Sequence, residues 1–351
     1  MKKSLICSVA LGALLAGCVE SSWLGGAYKK TDFTKKVIEL NEIETFGNRF
    51  DSQDVTRPSF GPISESSGFS ETEPVVSVVI DGDARAYPIT ILASHVVNDV
   101  VAGKPVLISF CLICSSANVF DRRVEGRTLT FGSAGYTRKS DQIFYDKQTE
   151  SFWQKLEGRG LVGDYAGASL KPVPARIESF KRFKERFPQG KIMLTPFARR
   201  AGFLPDLPDG VRRNTFAYLT KYRYGITANA GSDNAQVPLF FRGSYDPKTE
   251  DNLKGTTRVI MISEVPGVAW ALPYVREKGK IEHEGYVITW SPGMSSPLGG
   301  GRNAASSDLG NIVVQKKDAS GHLVDVSYDF PYIAVYKTFY PDGKVIKTDN
   351  N

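Results

Sequence analysis

The chain has 351 residues, 41% hydrophobic and 23% charged, and 44 Lys and Arg against 38 Asp and Glu give a formal net charge of +6. This is ordinary globular usage and excludes a disordered chain, a collagen-like repeat and a multi-span membrane protein. The basic residues form no long run, so nucleic acid is not an expected partner, and 33 Gly, 19 Pro, 20 Phe and 15 Tyr favour many short strands over long helices.

Lys2 and Lys3 precede an apolar stretch from Leu5 to Ala16. It is too short for a stable membrane span but suits the apolar region of a secretory signal. The stretch ends Leu15-Ala16-Gly17-Cys18, which resembles the bacterial lipobox. That resemblance implies removal of residues 1–17, a palmitate-type acyl chain on Cys18 and a membrane partner reached through the lipid. Val19 stands where an Asp would retain the protein at the inner membrane, so in a Gram-negative host the expectation is the outer membrane, facing the periplasm. Residues 18–70, Ser-rich around Ser64-Glu65-Ser66-Ser67, read as a tether and N-terminal extension. No protein partner is specified.

Once Cys7 leaves with the signal and Cys18 carries lipid, Cys111 and Cys114 are the remaining thiols. Pro105 to Phe110 reads as a buried strand leading into Cys111, and Ala117 to Arg123 and Thr128 to Phe131 read as strands joined by a turn at Glu125-Gly126. No helical period follows Cys114, which counts against a thioredoxin-type site, where a helix dipole lowers the thiol pKa. A C-x-x-C turn between strands is the geometry of metal knuckles for zinc or copper(I). In an oxidising compartment the same pair can close a disulfide or exchange thiols. Upstream, Pro88 opens a predicted helix through Ile89, Ile91, Leu92, Val96 and Val97. His95 lies inside it, with Asp99 four residues on and Asn98 adjacent, so a carboxylate could orient the imidazole as it does for metal ligands and general bases.

The run Asp81-Gly82-Asp83-Ala84-Arg85-Ala86-Tyr87-Pro88, then His95-Val96-Val97-Asn98-Asp99, Cys111-Leu112-Ile113-Cys114 and Val119-Phe120-Asp121-Arg122 resembles a bacterial and archaeal family known as domain of unknown function thirty-one seventy-nine. Thr130-Phe131-Gly132, Ser140-Asp141, Tyr145-Asp146 and Thr149-Glu150-Ser151-Phe152-Trp153-Gln154 extend the agreement over about residues 72–192. The resemblance implies a fold neighbourhood and no activity. It carries over His95, Cys111 and Cys114 as the constellation, with Asp99 and Asp141 as polar neighbours. Leu112 replaces the family's proline and Ser115 its glycine, which relaxes the constraint on the knuckle turn.

Two distant segments share an order of features. Val75 to Pro88 parallels Arg258 to Pro273, and Val106 to Ser116 parallels Val287 to Ser296, with Ser291 at the place of Cys111 and Met294 near that of Cys114. Phe180, Phe183 and Phe187 before Pro188-Gln189-Gly190-Lys191 match Tyr332, Val335 and Phe339 before Pro341-Asp342-Gly343-Lys344. Gly299-Gly300-Gly301-Arg302 lacks the Lys-Ser/Thr pair of a phosphate loop and reads as a flexible loop. The expected fold is α+β and β-rich: two degenerate tandem units of mainly antiparallel strands with a few short helices. The cysteine-containing unit spans 71–195 and the cysteine-free unit 251–346. Between them, 196–250 is a turn-rich connector carrying Tyr218, Tyr222 and Tyr224.

These readings point first to an exported lipoprotein with a zinc or copper site at Cys111, Cys114 and His95, surrounded by Asp99, Asn98 and Asp141. A thiol-dependent enzyme, with a cysteine as nucleophile and His95 as base, is the second reading. The third is a non-enzymatic binding module in which Cys111 and Cys114 form a disulfide.

Overall fold

The computed structural model describes residues 24, 26–46, 53–65, 69–93, 95–194, 252–297 and 308–349, with isolated positions between 238 and 246. The signal segment, Cys18, most of the connector with its three tyrosines, and the Gly299 to Arg302 run lie outside the described residues.

Two-residue turns at Ala102-Gly103 (φ 45° and 80°) and Glu284-Gly285 (φ 48° and 83°) place both residues in the left-handed region, the turn that matches strand twist in a tight hairpin. Hairpins of this kind build five main sheets, arranged as the blades of a propeller-like ring. This corrects the expectation of two tandem units, while the β-rich character, antiparallel pairing and short helices stand as read. A single apolar cluster containing Val76, Tyr87, Ile108, Ile260, Trp270 and Ile288 runs through four of the blades, so the halves share one core.

The sequence repeat persists inside the ring as matching blades. In one blade the order is Arg176–Ser179, Pro74–Ile80, Asp83–Pro88, Lys191–Met193; in its counterpart it is Tyr328–Asp329, Val259–Ile262, Val268–Ala271, Lys344–Ile346. Each has two antiparallel pairings and then a parallel one. The order Lys171–Pro172, Ser116–Asp121, Lys104–Cys111, His95–Val101 likewise matches Leu323–Asp325, Asn311–Lys317, Tyr286–Ser291, Lys280–His283. The helices Phe180–Arg186 and Ile333–Phe339 occupy equivalent places. Counting from the two hairpin turns, Lys104 corresponds to Tyr286, so the counterpart of Ser291 is Ser109 and that of Cys111 is Gly293. The alignment of Ser291 with Cys111 is therefore corrected. Met294 packs in the shared apolar core.

The fifth blade comprises Phe131–Arg138, Asp141–Asp146, Phe152–Gln154 and Arg159–Val162, inserted in the first copy between the neighbouring strands Ser116–Asp121 and Lys171–Pro172, with Glu44–Thr45 from upstream on its edge. The segment read as a tether packs on it: Leu24 and Tyr28 are buried with Tyr145, Phe152 and Leu161, and Tyr28 donates a hydrogen bond to the Ala134 carbonyl at 2.6 Å.

The helix after Pro88 is shorter than its pattern predicts. It covers Ile89–Leu92, and His95–Val101 is a strand paired with both Lys104–Cys111 and Gln53–Thr56. Val96, Val97, Val100 and Val101 are β-branched, stiff at χ1, and fit a pleated surface better than a helix interior. Among the described residues no helix is long and apolar enough to cross a membrane.

Candidate functional site

The strands Lys104–Cys111 and Ser116–Asp121 pair up to Cys111 opposite Ser116, leaving a turn at their tip that closes with Ser115 at φ 57°. Here Cys111 and Cys114 form a disulfide with their Cα atoms 5.6 Å apart, and both residues are fully buried. The Cys114 N–H donates to Cys111 Sγ at 3.2 Å. Two cysteines on a tight strand turn are already close, so the strand register itself brings the sulfurs within bonding reach.

Asp141, at the start of a strand in the inserted blade, projects its carboxylate at this disulfide. Its Oδ1 lies 3.1 Å from Cys114 Sγ, and its Oδ2 accepts from Gln154 Nε2 and the Leu156 N–H, both at 2.8 Å. Complete burial pushes the Asp141 carboxyl up to about 6, against the opposing pull of Lys155 and the two donors. Burial disfavours the ionised form because the protein interior solvates charge poorly.

Cys111 Sγ, Cys114 Sγ and an Asp141 oxygen lie within 4.8 Å of one another, the one such group of three among the described residues. His95, the sequence-predicted third ligand, is not part of it; its Nδ1 lies 2.9 Å from the Ile91 carbonyl. Asp99 and Asn98 also serve elsewhere. Asp99 Oδ2 accepts from Arg85 Nη1 and the Tyr87 hydroxyl, each at 2.7 Å, and the Asn98 amide pairs with the Phe131 backbone through two 2.8 Å bonds. The helical face that would have joined His95 to Asp99 does not exist, because both residues lie in a strand. Soft thiolates with one carboxylate suit zinc or copper(I) when the cysteines are reduced.

Three residues the sequence reading missed complete the centre. Lys155 is fully buried and donates to the Ser116 carbonyl (2.9 Å), Ser116 Oγ (2.8 Å) and Asn118 Oδ1 (2.5 Å). Burial lowers its pKa, while Asp141 and Asp329 act in the opposite direction. Asp329, from the second copy, accepts from Ser116 Oγ (2.5 Å) and Asn118 Nδ2 (2.8 Å) through Oδ2, and from the Ala117 (3.0 Å) and Phe330 (2.6 Å) N–H groups through Oδ1. Arg258 donates through Nε to Ser115 Oγ at 2.9 Å and through Nη2 to Ser296 Oγ at 3.3 Å, and the Tyr332 N–H bonds the Cys114 carbonyl at 3.0 Å. The knuckle is thus gripped by three blades. The signal for Lys155 was its place directly after the aromatic strand Phe152-Trp153-Gln154, where a lysine is buried or snorkels; nothing in the chain links Asp329 to the cysteines.

A family model described as "Protein of unknown function (DUF3179)" matches residues 54–348. No curated protein and no solved structure matches the chain.

Proposed function

The chain belongs to the family described as protein of unknown function (DUF3179), and on that premise we propose that it is an exported lipoprotein, acylated at Cys18, whose ring carries a reducible Cys111–Cys114 centre. The observation that carries this reading is the 3.1 Å approach of the buried Asp141 carboxylate to Cys114 Sγ. A merely structural disulfide gains nothing from a buried carboxyl, whereas a leaving thiolate needs a proton at that atom.

The donor is a dithiol, small or on a partner protein. Its thiolate attacks Cys111 Sγ and forms a mixed disulfide; the Cys111–Cys114 bond breaks and Cys114 leaves as a thiolate, which takes the proton of the neutral Asp141 carboxyl. The second donor thiol, as thiolate, then displaces Cys111, which takes up a proton from solvent. Two electrons and two protons reach the centre, and the donor becomes a disulfide. Both sulfurs are buried, so attack requires local opening of the knuckle turn.

A second reading rests on the Cys111, Cys114 and Asp141 group: in the reduced state these side chains bind zinc or copper(I), leaving a coordination position open. Thiol titration tests the first reading. The native protein should show no reactive thiol, and two after treatment with excess dithiol under native conditions. A disulfide that resists reduction until the chain unfolds overturns it. Zinc or copper(I) titration of the reduced protein tests the second, and failure to bind either metal removes it. If the host is Gram-negative, membrane fractionation addresses the outer-membrane, periplasm-facing location that Val19 implies.

A further inference from the structure

Where the inserted blade and three others converge, a cavity of about 140 Å³ opens beside the cysteine centre. Asn118 and Asp329, which hold Ser116 and Lys155 in place, form one wall. Glu157, in the turn after Phe152–Gln154, and Tyr340, after the last helix, form another. Val76, Ile177 and Met261 add apolar lining.

Two carboxylates and no Lys, Arg or His line this space. The Asp329 oxygens already accept four hydrogen bonds and Lys155 offsets its charge, so the free acceptor capacity of this space belongs to Glu157 and Tyr340. The Glu157 carboxylate and the Tyr340 hydroxyl have no hydrogen-bond partner among the described residues. Burial, with Glu157 and Asp329 adding to it, pushes the Tyr340 phenol up to about 12, so it stays neutral and offers one donor and one acceptor. A hard divalent cation would need about six oxygen ligands, which this half-apolar wall does not supply.

We propose that the cavity binds a small organic molecule bearing a primary ammonium group, held by Glu157 and Tyr340 with its carbon atoms against the apolar lining. The ammonium brings three donors to acceptors that lack them, and the Glu157 carboxylate favours a cation over a neutral alcohol of the same size. The volume limits the bound part to a fragment of a few heavy atoms, smaller than the contents of an ordinary ligand pocket. This inference does not depend on the redox reading of the cysteines.

Calorimetric titration of the purified full chain with ethanolamine is the test, with ethylene glycol as its neutral counterpart. Saturable binding in about the millimolar range is expected for so small a ligand, at least about tenfold weaker in Glu157→Gln and unchanged in the control Glu125→Gln at an exposed turn. Glu157 is half-exposed, and a native circular dichroism spectrum establishes that the variant folds. Tyr340→Phe should weaken binding by a smaller factor. Equal binding of ethylene glycol or of calcium ion, an unchanged affinity in Glu157→Gln, or the absence of saturable ethanolamine binding overturns the proposal.

Discussion

The Oδ1 atom of Asp141 lies 3.1 Å from Cys114 Sγ, although 27 residues separate the two in the chain and they belong to different blades. A carboxyl raised to about 6 at that position is neutral in mildly acidic solution and can protonate the sulfur that leaves when the disulfide is attacked.

Reduction kinetics should carry this signature. With the rate divided by the concentration of donor thiolate, the native protein should react at a constant rate below about pH 6 and progressively more slowly above it, as Asp141 loses its proton. Asp141→Asn should give a flat profile, lower by about 10²-fold at pH 5. Superimposable profiles would remove Asp141 from the chemistry.

Lys155 balances Asp141 and Asp329 inside the ring. Replacing it with Met leaves two buried acids and the Ser116 and Asn118 acceptors uncompensated, and should cost about 3–5 kcal/mol in urea unfolding. Adding Asp141→Asn to Lys155→Met should recover part of that loss, because the two sites couple. A single-variant cost under about 1 kcal/mol would mean that water already solvates the ammonium.

Stability should fall as pH rises from about 4 to 7. Asp141 is raised from 3.8 to about 6 and Glu73 from 4.5 to about 7, in both cases chiefly by burial, so the folded state binds more protons than the unfolded chain across this window. Their contribution is fully present below the ordinary carboxylate values and is lost as pH climbs through the raised ones, at up to about 1.4 kcal/mol per pH unit per group. Glu73 Oε1 is buried without a hydrogen-bond partner, so Glu73→Gln should stabilise the protein at pH 8 and change little at pH 4. Urea titrations at these two pH values check both the sign and the assignment.

Acylation at Cys18 has a direct readout. Cys18→Ser should move the protein from the membrane fraction to the soluble fraction and remove the lipid mass from its N-terminal peptide. Continued membrane association without a lipid mass shift would exclude the anchor.

Much of this architecture follows from local rules that the chain obeys on its own. The Ala102-Gly103 and Glu284-Gly285 turns require left-handed backbone and so announce their hairpins, and the β-branched and aromatic runs between turns announce strands. The two thiols at a strand tip were legible for the same reason: Cys111 and Cys114 are neighbours in sequence, and the turn alone brings them together. His95 shows where local rules stop. A proline before an apolar stretch reads as a helix start, but pairing with strands on both sides outweighed that signal and left the imidazole beside Ile91, outside the cysteine group. Asp141, Lys155 and Asp329 belong to the centre only because ring closure carries three separate blades to one point. A buried charge is tolerated only where opposite charge and hydrogen-bond partners meet it, and those partners lie far apart in the chain, so tertiary packing alone could select them.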